Sequence, residues 1–267
     1  MIRGLLLSYC SALMAMSVSG QAAQDSTSVT GAFDQFTTDE LGNVYAVRGD
    51  VLELYNVKGE LMQRNSLKTF GRIGSIDAFY SLKPMVFAQE QGQLAVLDNT
   101  LAVQGSVIDL PRNGFAQVTL VCASVQNSFW FFDQKELSLI RVDAQLRPQA
   151  NTGRLDQLIG HAPMPTQMIE RDNWLYVNDP SNGILVFDLF GTYAKTIPIT
   201  GAKSFEVRGE HIHFFKDGSF SIFDMRAFTF TDIVNAGDPD VIDVRMEHGV
   251  AYMRFPSGIV IRDLARK

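Results

Sequence analysis

Apolar and aromatic residues in this chain fall into paired short runs, each pair joined by a brief polar turn, and the pair recurs six times. The copies read NVYAVRGDVLELYN (43–56), PMVFAQEQGQLAVLD (84–98), SFWFFDQKELSLIR (128–141), WLYVNDPSNGILVFD (174–188), HIHFFKDGSFSIFD (211–224) and GVAYMRFPSGIVIRD (249–263). Runs this short, rich in Phe, Val, Ile and Tyr and closed by turn residues, predict strands and not helices. The matching ends Asn56, Asp98, Arg141, Asp188, Asp224 and Asp263 are separated by steps of 42, 43, 47, 36 and 39 residues. A period near 40 built from strand pairs marks propeller blades. The expected fold is all-β, a six-bladed β-propeller.

Each blade needs four strands, a to d from the axis outward. The repeated pair supplies b and c. Strand a is expected in FDQFTT (33–38), IDAFYSL (76–82), QVTLVCAS (117–124), QMIER (167–171), SFEVR (204–208) and VIDVRM (241–246). Strand d is expected in LMQRN (61–65), LAVQGSV (101–107), LRPQA (146–150), KTIPI (195–199) and FTFTDIV (228–234). The sixth copy has no outer-strand candidate after it. STSVTGA (26–32) has no other place, so it is expected to complete the last blade and leave no open edge. Gly49-Asp50, Asp217-Gly218 and Ser257-Gly258 fall in b–c hairpins, where tight turns need positive φ. Pro198 is expected in an outermost strand, where a missing N–H is tolerated. GHAPMPTQ (160–167) is the longest connection and is expected to project from one face.

The first residues break the pattern. Arg3, the apolar run Leu5 to Val18 and the small residues SVSGQAA read as a secretory signal peptide over 1–22, cleaved near 20–23. Residues 23–267 then form one propeller domain. No later apolar run is long enough to span a bilayer, so the processed protein is expected in the periplasm or secreted, with no membrane insertion of its own. Composition is that of a folded protein, at 46% hydrophobic and 19% charged. The formal charge is −6, or −7 without Arg3, which argues against nucleic acid as a partner. Only Cys122 survives processing, so no internal disulfide is expected.

Candidate chemistry is sparse. Asp77, Glu170, Glu206 and Asp243 lie on predicted inner strands and could line the channel, where carboxylates hold a hard cation in metal-dependent hydrolases of lactonase type. They sit at different offsets in their blades. The bland alternative is hydrogen bonding to backbone or water in a wet channel. His211 and His213 would share one face of a strand, yet no Cys or acid is arranged beside them. Arg48-Gly49-Asp50 has the spacing a b–c hairpin requires, and Cys122 lies in an apolar run. GxSxG, HExxH, P-loop and dinucleotide motifs are absent. No catalytic residue, metal or cofactor is assigned. For binding, Asn178, Asp179 and Pro180 occupy a long b–c loop (178–183), and Phe190 and Tyr193 mark the opposite face as the competing surface.

FDQFTTDELGNVYAV, LAVLDNTL and GILVFDLFGTYAKTIPI (33–47, 94–101 and 183–199) resemble an uncharacterised family of exported propeller proteins from Bacteroidota, over nearly the whole processed chain. The ring more loosely resembles NHL-type propellers. The chain is also similar to the family of periplasmic plug subunits of the type 9 secretion translocon. That resemblance implies a non-catalytic role, a cell-envelope location and a partner, a large outer-membrane secretion channel. The leading expectation is therefore a protein-interaction module. The alternatives are the metal-dependent hydrolase and a sugar or peptide binder.

Overall fold

The computed structural model describes residues 26–80, 82–235 and 239–264. The expected signal peptide, 1–22, lies outside them. The described residues form six four-stranded antiparallel sheets, each one blade of a propeller. Blade 4 is typical: strand a Gln167–Arg171, b Trp174–Asp179, c Gly183–Asp188 and d Tyr193–Ile197. The other inner strands are Gln35–Thr38, Ser75–Asp77, Val118–Ser124, Ser204–Arg208 and Asp243–Glu247.

The ring closes as the repeat requires. Ser26–Thr30 pairs antiparallel with strand c of blade 6, from Ser26 opposite Arg262 to Thr30 opposite Gly258. One blade is thus built from both ends of the described chain. Gly258 is fitted to this closure, because a Cβ there would lie 2.2 Å from the Val29 carbonyl oxygen.

The recurrent Asp or Asn after strand c has a local cause. Its side chain caps the c–d turn by accepting two backbone N–H groups. Asn56 Oδ1 accepts from Lys58 and Glu60 at 2.9 and 3.0 Å. Asp98, Asp143, Asp188 and Asp224 do the same for their own turns. In blade 3 the equivalent residue is Asp143, two positions beyond the expected Arg141.

Other departures also have reasons. Strand a of blade 2 stops at Asp77, short of the expected 82: Asp77 accepts the Phe79 N–H at 3.4 Å, and the Phe79 carbonyl accepts from Glu40 N of blade 1 at 3.0 Å. The outer strand of that blade is not 101–107 but Ile108–Asp109, preceded by a lone bridge at Val103, with Gly105 at φ 75° between them. Pro198 lies just past strand d of blade 4, which ends at Ile197.

The core is divided into one apolar slab per blade seam. Val47, Leu52, Phe70 and Val86 fill seam 1/2, and Met85, Phe87, Phe131 and Val142 fill 2/3. Trp130, Leu175 and Phe187 fill 3/4, and Tyr176, Ile184, Phe205 and Phe223 fill 4/5. Val29, Phe36, Tyr252 and Ile259 fill 6/1. Among the described residues the smallest slab, at 5/6, is Phe215, Phe220, Val241, Val244 and Met253.

Candidate functional site

Blade geometry sorts the loops onto two faces. The a–b and c–d turns share one face; the b–c turns and d–a connections share the other. The a–b turns touch one another around the channel mouth. His248 Nε2 donates to the Glu40 carbonyl at 3.0 Å, and Lys83 Nζ donates to Asn127 Oδ1 at 2.8 Å.

Exposed large apolar side chains are distributed unequally between the faces. In or beside the a–b turns lie Leu41, Tyr80, Leu82 and Trp174; in the c–d turns lie Val57, Phe190 and Phe228. Phe190 is 80% exposed and Leu82 69%. Among the described residues, only Leu158 and Met164 are comparable on the opposite face, both in the long connection between blades 3 and 4. The rest of this class sits on or beside outer strands, with Phe230 packed 4.7 Å from Phe223. Between blades 4 and 5 the a–b/c–d face opens into a groove lined by Trp174, Tyr176, Val186, Lys195, Met225 and Arg226. Lys195 lies 6.0 Å from the Phe228 ring.

The expected interaction residues divide accordingly. Phe190 is presented to solvent by the c–d turn of blade 4. Tyr193 is half-buried, edge-on to Phe187 at 5.7 Å, with its hydroxyl on Thr196 at 2.7 Å. Asn178 and Asp179 are both 0% exposed and end strand b. Asn178 Nδ2 donates to the Ala202 carbonyl at 3.0 Å, and Asp179 accepts from Met164 N and Ser181 N at 3.0 Å each. They hold the b–c and 160–166 loops in place, and neither reaches solvent. Pro180 is half-buried beside them; its carbonyl accepts from Gly201 N at 2.7 Å.

The four inner carboxylates are each engaged with the protein. Asp77 accepts from Ala123 N at 3.1 Å. Glu170 turns into seam 3/4, where it accepts from Ser124 Oγ and Trp130 Nε1 at 2.6 Å and Val125 N at 2.9 Å. Glu206 takes Arg245 Nη1 at 2.9 Å and Arg208 at 3.3 Å. Asp243 takes Ser204 Oγ at 2.5 Å, with Arg245 Nε 3.8 Å away. Among the described residues no three His, Cys, Asp or Glu side chains converge as a metal site, and arginines stand between Glu206, Asp243 and Glu247.

Those arginines escaped the sequence reading. Arg171, Arg208 and Arg245 are spaced by 37 residues, an identical step that could have singled them out. With Thr38, Asp77, Phe79, Gln167 and Glu206 they line an axial cavity of about 90 Å³. Between blades 5 and 6, Arg208 and Arg245 belong to a three-rung ladder: Ser204 to Asp243, Glu206 to Arg245 and Arg208 to Glu247. Arg208 Nε meets Glu247 Oε2 at 3.3 Å, and Glu247 Oε1 also accepts from Thr38 of blade 1 at 3.0 Å. Burial, then the neighbouring Glu206, hold the Glu247 carboxyl above its ordinary range.

The remaining candidates are absorbed by the fold. Arg48 pairs with Glu53 at 3.5 Å, Gly49 N donates to Asp34 at 2.8 Å and Asp50 accepts from Ser66 at 2.7 Å. Cys122 is fully buried, and burial pushes its thiol well above the usual value. His211 is exposed, 3.7 Å from Asp224, while His213 packs edge-on over Phe220 at 5.8 Å. Burial drives the His213 pKa down to about 4.

No family model and no curated protein matches the chain. Solved structures do resemble it in fold. A streptogramin B lyase superposes with a TM-score of 0.60 at 10% identity, over 88% of this chain and 96% of that one. Virginiamycin B lyase from Staphylococcus aureus gives 0.57 at 10% identity, over 89% and 98%. Its catalytically inactive variant with quinupristin gives 0.56 at 10%, over 90% and 96%. At this identity the likeness speaks for the propeller scaffold, which hosts unrelated functions.

Proposed function

We propose that this protein is a non-catalytic interaction module of the cell envelope that docks a protein partner through its a–b/c–d face. One observation carries the reading: the exposed large apolar turn residues gather on that face. Scattered surface apolar groups need no explanation, but a one-sided set ringed by polar turns is the composition of a recognition surface. Phe190, Phe228 and Trp174 are aromatic anchors of the kind that dominate binding energy. Phe190 and Phe228 stand on turns pinned by Asp188 and Asp224, and Trp174 on strand b, so little ordering cost opposes binding. The partner we infer is an outer-membrane secretion channel, with the protein on its periplasmic side after export. The support for this finer step is the resemblance to plug subunits, and a rigid disc suits occlusion of a wide pore.

The test is site-specific photocrosslinking in cells of the source species, with the probe at Phe190 or Leu82 and, as control, at Met164. The proposal expects one dominant membrane-protein adduct from positions 190 and 82 and little from 164. Adducts from 164 alone would overturn the assignment of the face. No adduct from any position would overturn docking itself.

A further inference from the structure

Arg171, Arg208 and Glu247 occupy the same place in three successive blades. Each ends strand a and pairs with the first residue of strand b: Trp174, His211 and Val250. The place has a wiring rule, in which a side chain bonds to its counterpart on the next blade. Arg208 reaches Glu247, and Glu247 accepts from Thr38. Applied to Arg171, the rule gives Arg208 as the counterpart, and that is a like charge. Among the described residues Arg171 accordingly has no carboxylate partner. Its Nη1 donates to its neighbour's carbonyl, Glu170 O, at 2.6 Å, and its Nε is buried with no acceptor. The guanidinium lies 3.6 Å from the Phe79 ring centroid, and that of Arg208 lies 4.9 Å from the same centroid. Both line the axial cavity.

A largely buried guanidinium whose nearest acids are bonded to other groups is costly, and one aromatic face offsets only part of that cost. Burial is the main influence on Arg171 and pulls its pKa below the ordinary arginine value. Asp77, the acid that most favours its charge, is held instead by the Ala123 and Phe79 N–H groups. Glu206, the other acid near it, is committed to Arg245 and Arg208. The cavity has room for several waters or one small ion. We propose that Arg171 and Arg208, set against Phe79 in the axial cavity, bind a small oxyanion of the phosphate or carboxylate class. Arg171 supplies the donors to the anion's oxygens, and Arg208, bonded to Glu247 and Glu206, adds positive charge beside it. This site lies at the a–b end of the channel, inside the ring that the docking face surrounds, and its test requires no protein partner.

The experiment is a phosphate titration of the full processed protein, followed by thermal unfolding and by ³¹P line broadening, against chloride at equal ionic strength. An acetate series reports whether a carboxylate serves as well. The expected result is a saturable rise in Tm with phosphate beyond that with chloride. Arg171→Gln is expected to weaken phosphate binding about tenfold or more, the scale of one charge-assisted hydrogen bond. Its Tm without phosphate should equal or exceed that of the wild type, because an unpaired charge has been removed. Arg171→Lys, which keeps the charge and loses the fork, provides a folded variant with intermediate affinity. Equal stabilisation by phosphate and chloride in the wild type would overturn the proposal whatever the variants do. So would an undiminished phosphate response in Arg171→Gln or Arg171→Lys.

Discussion

Glu206 on blade 5 accepts a 2.9 Å hydrogen bond from Arg245 on blade 6, as the middle rung of a polar ladder along the seam whose apolar slab is smallest among the described residues. The seam combines few apolar contacts with directional ones. A buried ion pair adds little net stability over a hydrophobic pair, but breaking it strands a charge. Arg245→Met is therefore expected to cost about 3–5 kcal/mol, the usual penalty for an uncompensated buried partner. The double variant Glu206→Leu, Arg245→Met should recover much of that loss. Urea unfolding of the singles and the double checks this. A double variant as unstable as the sum of its singles would count against the ladder acting as a unit.

Closure by Ser26–Thr30 makes Gly258 a sensitive position. Any Cβ there meets the Val29 carbonyl at 2.2 Å, so Gly258→Ala must displace the closing strand. The expected loss is at least about 2 kcal/mol, in the range for enforced backbone strain. Hydrogen exchange should localise it to 26–30 and 258–263. Gly249→Ala is the steric control, because nothing lies within 4 Å of its added Cβ, although its φ of 81° adds some strain of its own.

His213 gives the protein a pH dependence of defined sign. Its folded pKa is about 4, below the ordinary histidine value of 6.5. The unfolded chain therefore binds the extra proton first as pH falls. The contribution of neutral His213 is complete above pH 6.5, declines as pH drops from 6.5 towards 4, and is gone below that. At about 1.4 kcal/mol per unit, the swing is of order 3–4 kcal/mol. His213→Phe should flatten the stability profile across this window. An NMR titration of His213 checks the cause directly, and a midpoint near 6.5 would refute it.

Much of the fold was legible in the chain. Strand pairs, turn glycines and the Asp or Asn after strand c are local signals, and the closing strand followed from counting what each blade lacked. The misplacements came where tertiary contacts prevail, as at Phe79, whose carbonyl is claimed by Glu40 of the preceding blade. The surface was less legible. Asn178 and Asp179 read as an exposed loop because Pro180 follows them, yet both are consumed in holding neighbouring loops. Arg171, Arg208 and Arg245 were missed because their environment is made by strands from successive blades. Phe190 could be named from sequence; the gathering of Leu41, Leu82, Trp174 and Phe228 around the same face required blade topology.

If the protein occludes a wide outer-membrane pore, its deletion should raise sensitivity to large antibiotics that the outer membrane normally excludes. Complementation with the wild type should restore resistance, whereas a chain carrying Trp174→Ser, Phe190→Ser and Phe228→Ser should not. Unchanged sensitivity and unchanged protein secretion in the deletion strain would count heavily against occlusion.

The central claim, docking through one face, is tested most directly by affinity isolation of the tagged processed protein from detergent-solubilised envelope, with mass spectrometry of what co-purifies. The account predicts a large outer-membrane channel in near-equal amount, lost with the Trp174, Phe190 and Phe228 triple variant and retained with Leu158→Ser, Met164→Ser. Equal recovery with both variants, or no stable partner with the wild type, would contradict it.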